Sequence, residues 1–273
     1  MKQRLIVAAL GIPALLLILL AAPVWATAAM CALLAAVGCY ELMHAVGREE
    51  WKLLWLMPVI AAWMCTAIGL GEDWTPEPGL YIGICCFIAV VYTFAIAVIG
   101  HGRERSLSFR TAMAGLFSVT AIAAGFACLV ILRGISPAVV LTPFIGAFMS
   151  DTGAFFAGRA FGKRKLAPAV SPNKTVAGCI GGFAGSIAGM VVFHLVVKTW
   201  FQLDLGWGMI LLMGVVGSLF GQLGDLSFSV IKREFGIKDY GAIFPGHGGV
   251  LDRFDSVLFV APAYMLLLFL LLP

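Results

Sequence analysis

Long apolar runs, separated by short polar connections, follow one another along the whole chain. An α-helix needs about 20 apolar residues to cross a bilayer, whereas the strands of a membrane barrel alternate apolar and polar residues over about ten positions. The runs therefore predict an all-α, polytopic membrane helix bundle. About nine transmembrane helices are expected, near residues 5–25, 27–46, 53–71, 79–99, 112–132, 136–157, 176–197, 206–226 and 257–272.

Composition supports this prediction. The chain is 62% hydrophobic and 12% charged, and its mean hydropathy is +1.02, so it has too few polar side chains to cover a water-facing surface. These values exclude a soluble enzyme, a disulfide scaffold and a nucleic-acid-binding domain. The seven cysteines lie in or beside apolar runs without a CxxC pair and are interpreted as small hydrophobic residues. We expect the first run to stay as an uncleaved helix, because it is longer than the core of a signal peptide.

The basic residues indicate sidedness, since Lys and Arg are enriched in cytoplasmic loops. With a cytoplasmic N-terminus, the inner segments are 1–4, 47–52, 100–111, 158–175 and 227–256. Every Lys and Arg lies in these segments except Arg133 and Lys198. We therefore expect the N-terminus in the cytoplasm and the C-terminus outside. The size of the chain and its short loops indicate the inner (plasma) membrane of the cell.

The chain is predicted to have two functional regions. Residues 1–110 hold four spans with almost no polar side chains and are expected to form a scaffold that contacts lipid or a second copy. Residues 111–273 are expected to be catalytic, because they contain the basic loop 158–175 and the long polar loop 227–256. Long ordered loops between helices are usually functional.

Three carboxylates fall inside or at the end of predicted spans, where an ionisable group is costly and marks a functional site by default. Asp151 and Asp225 are flanked by Gly and Ser, which allow close backbone approach and favour a functional role. Glu41 lies near the membrane interface, and solvation or a pair with Arg48 would explain it without a function.

The segment from Asp225 to Asp255 concentrates carboxylates and cations around a glycine-rich turn at His247. Hard oxygen donors beside fixed cations suit Mg²⁺ with a polyphosphate, because Mg²⁺ accepts one or two carboxylates and fills its other positions with phosphate oxygens and water. The upstream loop adds Lys174 and neighbouring hydroxyls in an SPNKT turn at a helix start, a location that favours anions. A solvated charged loop is the alternative for the segment from Asp225 to Asp255, and positive-inside topology alone could explain the basic run of the upstream loop.

The stretch Ser229–Asp255, SVIKREFGIKDYGAIFPGHGGVLDRFD, resembles the signature of the phosphatidate cytidylyltransferase (CDP-diacylglycerol synthase) family. That signature has Ser, two residues, Lys-Arg, four residues, Lys-Asp, and then HGG, two residues and DRxD. The upstream SDTGAFFAGRAFGKRKLAPAVSPNKT is also similar to the family, so the resemblance covers about residues 145–260. One departure is visible: Val176 and Ala177 stand where the family commonly has an aromatic and an acidic residue.

The resemblance implies a membrane enzyme that transfers CMP from CTP to phosphatidate, giving CDP-diacylglycerol and pyrophosphate. Its cofactor would be Mg²⁺, with a second cation such as K⁺, and its partners CTP, phosphatidate, the bilayer and a second copy of the chain. Metal ligands by position in the motif are Asp225 and Asp252, with Asp255 as a further ligand. The catalytic group also includes Lys232, Arg233, Lys238, Asp239, His247 and Arg253, and the substrate-binding group is Ser171, Lys174, Thr175, Gly248, Gly249 and Asp151.

Two other functions are compatible with the pattern. A CTP-dependent polyprenol or phytol kinase would use a related membrane fold, but should lack the complete signature. A cation-coupled anion transporter would use the intramembrane aspartates for ion binding, although the chain has no convincing internal repeat of the kind that many transporters have.

Overall fold

The computed structural model describes residues 2–47, 49–71, 77–103, 106–200, 203–243, 246 and 248–271, and of residues 2–8 and 10 the backbone alone. The chain divides into two compact units. The first contains residues 1–137 and 235–254, and the second contains residues 138–234 and 255–273.

Helices make up the first unit. They are α1 (Lys2–Leu20), α2 (Val24–Gly47), α3 (Met57–Leu70), α4 (Pro78–Gly100), α5 (Phe109–Phe117), α6 (Ala124–Ile135) and the short α10 (Leu251–Phe254), with a 3-10 turn over Glu50–Leu54. A π-helical turn, Ser118–Ala123, joins α5 to α6. The core lies between α2, α3 and α6, where Met43, Met64 and Phe126 are fully buried.

Polar contacts tie the connections of this unit together. The Arg133 guanidinium at the end of α6 donates to the carbonyl of Ala22, between α1 and α2 (2.6 Å). Glu50 accepts from the backbone N–H of Ser108 (2.9 Å), which links two connections predicted on the opposite side. The seven cysteines are free thiols, as predicted, and Cys39 donates to the carbonyl of Ser118 in the π turn (3.2 Å).

The second unit contains a 3-10 turn over Val139–Leu141, α7 (Thr142–Phe161), β1 (Lys165–Ala167), β2 (Ser171–Thr175), α8 (Val176–Trp200), α9 (Trp207–Glu234) and α11 (Val257–Leu271). Helices α7 and α8 approach closely through glycines: a Cβ added to Gly153 would lie 2.3 Å from the carbonyl oxygen of Gly181. Such small residues let membrane helices come into backbone contact. Tyr264 of α11 is fully buried and donates to the Met213 carbonyl of α9 (2.6 Å).

The helical membrane architecture is confirmed. Within the described residues, seven helical segments are long and apolar enough to cross a membrane, and they coincide with seven of the predicted spans: Val24–Gly47, Glu50–Leu70, Pro78–Gly100, Phe109–Ile135, Val139–Phe161, Val176–Trp200 and Trp207–Glu234. The first and last predicted spans fall on α1 and on the 15-residue α11. The total of nine spans, the orientation of the termini and the functional division at residue 110 stay predictions.

Several boundaries differ from the sequence-based expectation, and two of these differences lie in polar stretches of the second unit. Residues 171–175, expected to form a turn, are a strand that pairs antiparallel with β1, with Lys165 opposite Thr175 and Ala167 opposite Ser171. Residues 227–234, expected in a loop, continue α9 for two further turns to Glu234. Neither element could be predicted from hydropathy, because both stretches are polar. The apolar pattern indicates where a helix can lie in lipid, but not where its backbone hydrogen bonding ends.

Candidate active site

The centre of the candidate site in the second unit is an ion pair between Lys174 of β2 and Asp225 of α9. Lys174 Nζ lies 2.5 Å from Asp225 Oδ2, and the two side chains are 24% and 28% exposed. Asp225 also accepts from the Ser229 hydroxyl one turn later in α9 (3.3 Å). The sequence analysis assigned Asp225 to metal binding and Lys174 to substrate binding, whereas the structure places the two side chains in contact.

Two further carboxylates lie near this pair. Asp151 comes from the middle of α7, and Asp255 precedes α11. Burial, and after it the negative charges of Asp225 and Asp151, raise the pKa of Asp255 to about 7, although a hydrogen bond from the Ser256 backbone and the positive charge of Lys232 lower it. The unit therefore contains three carboxylates whose charges interact, and Asp255 gains or loses its proton near neutral pH.

A cavity of about 620 Å³ opens beside the pair. Its wall combines apolar groups, such as Phe155 and Leu166, with the charged groups Asp151, Arg159 and Lys174. A cavity of this size holds a small organic ligand, and its few polar groups orient that ligand. Arg159 was counted in the sequence only for sidedness; its place in the wall gives the cavity a second cation.

Thr175 and Arg233, both predicted to act on substrate, have structural contacts. The Thr175 hydroxyl accepts from the Gly178 backbone N–H at the start of α8 (3.0 Å), which caps that helix. Arg233 Nε donates to the Val170 carbonyl and so ties the β1–β2 hairpin to α9 (3.1 Å). Ser171 lies at the start of β2, at the other end of the strand from the ion pair.

The remaining signature residues belong to the first unit. Asp252 lies in α10, and its Oδ2 accepts the backbone N–H groups of Tyr240 (2.8 Å) and Gly249 (3.0 Å). Gly248 has φ +88°, and a Cβ there would lie 2.9 Å from Asp252 Oδ2, so this turn requires glycine. Described residues of the same segment that were also predicted functional are Lys238, Asp239 and Arg253. His247 lies outside the described residues.

Glu41 is the residue whose interpretation changes most. Its side chain is 2% exposed, so the expectation of a solvated carboxylate is wrong. It accepts the backbone N–H groups of Val250 and Leu251, both at 3.0 Å. Arg48, the other expected partner, is outside the described residues. The sequence did contain a signal for this contact: Glu41 is a lone acidic residue at the end of an apolar run, and a buried carboxylate needs a hydrogen-bond donor.

The predicted metal ligands are divided between the units: Asp225 and Asp255 belong to the second and Asp252 to the first. Among the described residues, no group of three His, Cys, Asp or Glu side chains is gathered as a metal site. Mg²⁺ is nevertheless compatible with the donor set, because it needs only one or two carboxylates when phosphate oxygens and water supply the rest. Asp225, with Asp151 or Asp255 beside it, would supply those one or two carboxylates.

The fold and this site define a class: a membrane-embedded helix bundle with a cavity of mixed apolar and charged lining, formed by three membrane helices, α7, α8 and α9, and the hairpin before α8. The family model described as the Cytidylyltransferase family matches residues 2–271, so the chain belongs to that family. This confirms the resemblance drawn from the signature.

Curated relatives agree with this assignment. A Staphylococcus saprophyticus protein named phosphatidate cytidylyltransferase is 41% identical over 182 residues, which is 67% of this chain and 66% of the relative. Proteins of the same name from Staphylococcus epidermidis and Staphylococcus aureus are 42% identical over 182 and 185 residues. The matched region thus spans 66% of the length of these relatives, just under two thirds.

Proposed function

We propose that this protein transfers CMP from CTP to phosphatidate, giving CDP-diacylglycerol and pyrophosphate for phospholipid synthesis. The single observation that carries the proposal is the cavity beside the Lys174–Asp225 pair, in a chain of the cytidylyltransferase family. Apolar wall groups suit the glycerolipid part of one substrate, and Arg159 and Lys174 suit phosphate groups.

The chemistry places modest demands on the side chains. A phosphatidate phosphate oxygen, already ionised at neutral pH, attacks the α-phosphorus of CTP in line with the bond to the β-phosphate. That bond breaks, and the pyrophosphate oxygen leaves with the electron pair. No proton must be removed from the nucleophile, so the protein's task is to bring two anions together and to stabilise the departing charge.

The site residues of the second unit then have specific roles. Lys174 and Arg159 neutralise phosphate charge as it enters the cavity, and Lys174 exchanges its contact with Asp225 for one with substrate. Thr175 and Arg233 keep β2 and the start of α8 in place for that exchange. Lys232 places a further positive charge near Asp255. The roles of Lys238, Asp239, His247, Gly248, Gly249 and Arg253 stay predictions from the resemblance.

Asp225, with Asp255 as a second carboxylate, would hold Mg²⁺ once Lys174 has turned to substrate, and Asp151 would add negative charge nearby. The ion would stabilise negative charge on the transferring and leaving phosphates. The assignments of Asp252 as a metal ligand and of K⁺ as a second cation stay predictions from the resemblance.

The proposal includes a location and a topology. Loop 158–175 and the segment that follows α9 carry most of the basic residues of this half, which favours a cytoplasmic site in the inner membrane with an N-terminus inside and a C-terminus outside. CTP would then enter from the cytoplasm and phosphatidate from the adjacent leaflet. A homodimer through the apolar N-terminal helices is part of the same proposal.

The test is formation of CDP-diacylglycerol by purified protein in detergent with CTP, Mg²⁺ and phosphatidate. Asp225→Asn should lose activity while it elutes as a folded protein, and Asp204→Asn, outside the cavity lining, is the matched control. Product from wild type in excess EDTA would contradict the metal assignment. Phosphorylation of an isoprenoid alcohol without product from phosphatidate would favour a polyprenol kinase, and solute uptake into vesicles with intact CTP would favour a transporter.

A further inference from the structure

Glu41 links the second helix of the chain to two residues of the signature segment, which lie 209 and 210 positions later. The residue lies near the C-terminal end of α2 and is 2% exposed. Its Oε1 accepts the backbone N–H of Val250 and its Oε2 that of Leu251, each at 3.0 Å. Both carboxylate oxygens therefore have a donor from the same two-residue stretch of backbone.

These two donors lie where α10 begins, at Leu251. The first N–H groups of a helix have no acceptor within the helix and need one from elsewhere. Glu41 supplies that acceptor from a distant helix. Asp252 is the next residue of α10, so its backbone position depends directly on the two peptide groups that Glu41 holds.

The surrounding backbone is shaped around the Glu41 carboxylate. A Cβ added to Gly241 would lie 2.3 Å from Glu41 Oε1, and one added to Gly249 would lie 2.4 Å from the same atom. Side chains at these two positions would displace the carboxylate. Gly249 also donates its N–H to Asp252 Oδ2 (3.0 Å). The same glycine therefore donates to the Asp252 carboxylate and leaves room for that of Glu41.

We propose that Glu41 is a positioning residue that fixes Asp252 and the turn around it for the reaction. This inference rests on the proposed function, because Asp252 acts on that reaction by resemblance alone. Glutamine at position 41 would keep the size of the side chain but replace one acceptor oxygen with an amide donor. That donor would face a backbone N–H, so one of the two peptide groups would lose its partner.

The experiment compares Glu41→Gln with Thr27→Val, a matched change in the same helix. Thr27 is fully buried and donates its hydroxyl to the Ile18 carbonyl (3.3 Å), far along α2 from the signature segment. For each protein, kcat and KM with CTP and phosphatidate, the melting temperature in detergent and the hydrogen exchange of residues 240–252 are measured. Asp252→Asn and the double variant Glu41→Gln/Asp252→Asn complete a cycle.

The expected result for Glu41→Gln is a fall in kcat of about 10- to 100-fold, because a misplacement near 1 Å costs about that much. Exchange should become faster in residues 240–252 and stay unchanged in α7–α9, and Thr27→Val should keep wild-type kcat. In the Asp252→Asn background the exchange effect of Glu41→Gln should shrink, since coupled residues are not additive.

Wild-type kcat and exchange in Glu41→Gln would overturn the inference. So would equal losses of kcat in Glu41→Gln and Thr27→Val with faster exchange throughout the protein, since that pattern belongs to general destabilisation. An inactive wild type would refute the proposed function instead, and the exchange of residues 240–252 would then still decide whether Glu41 holds the turn.

Discussion

Replacing Gly185 with alanine should force α7 and α8 apart. A Cβ at this position in α8 would lie 2.4 Å from the Met149 carbonyl oxygen and 3.0 Å from the Gly153 Cα, both backbone atoms of α7. Backbone cannot rotate away as a side chain can. The helices must therefore separate by at least about 0.6 Å at this point to restore a tolerable contact.

The cost follows from two opposing effects. Overpacking a tight interface costs about 1 to 3 kcal/mol, whereas alanine is favoured over glycine within a helix by about 0.5 to 1 kcal/mol. The balance is a loss of up to about 2.5 kcal/mol, which corresponds to a fall in melting temperature of up to about 10 °C. Because α7 carries Asp151 and Arg159, the same separation should widen the cavity and lower turnover.

The measurement is thermal unfolding in detergent, followed by size-exclusion elution and paired with CDP-diacylglycerol formation. Gly208→Ala is the matched control, because Gly208 lies in α9 of the same unit and an added Cβ meets nothing within 4 Å. The control should melt at or slightly above the wild-type temperature. If Gly185→Ala melts as high as Gly208→Ala and keeps full turnover, the reasoning from close backbone contact is wrong.

Two further outcomes are expected. Tyr264→Phe should lower stability by about 1 kcal/mol, because it removes the buried hydrogen bond to the Met213 carbonyl, and melting in detergent measures the loss. Asp204 accepts from Lys198 (2.6 Å), and this contact, with the Gly206 backbone N–H, holds the pKa of the Asp204 carboxyl below its usual range. The stabilisation should therefore be present above about pH 4 and lost as the pH falls further, and Asp204→Asn should remove this pH dependence from melting curves.

Much of the architecture could be predicted from the sequence because lipid imposes a simple rule. A helix that crosses the bilayer must be apolar over about 20 residues, so Val24–Gly47 or Pro78–Gly100 is visible in hydropathy alone. The β1–β2 hairpin and the extension of α9 to Glu234 were not visible. Outside the bilayer, polar side chains are compatible with helix, strand or turn, and tertiary contacts such as Arg233 to Val170 decide between them.

The sequence also identified the residue types of the site, since Asp225, Lys174 and the Gly-rich turn before Asp252 belong to a specific motif. Only the tertiary structure decided which of them meet. Lys174 and Asp225 are 51 positions apart and form an ion pair, Thr175 caps a helix, and Glu41 holds a turn about 210 positions away. The number of residues between two remote segments does not determine how far apart the segments lie in space. Burial, hydrogen bonding and helix packing fix that distance, and they arise only when the helices come together.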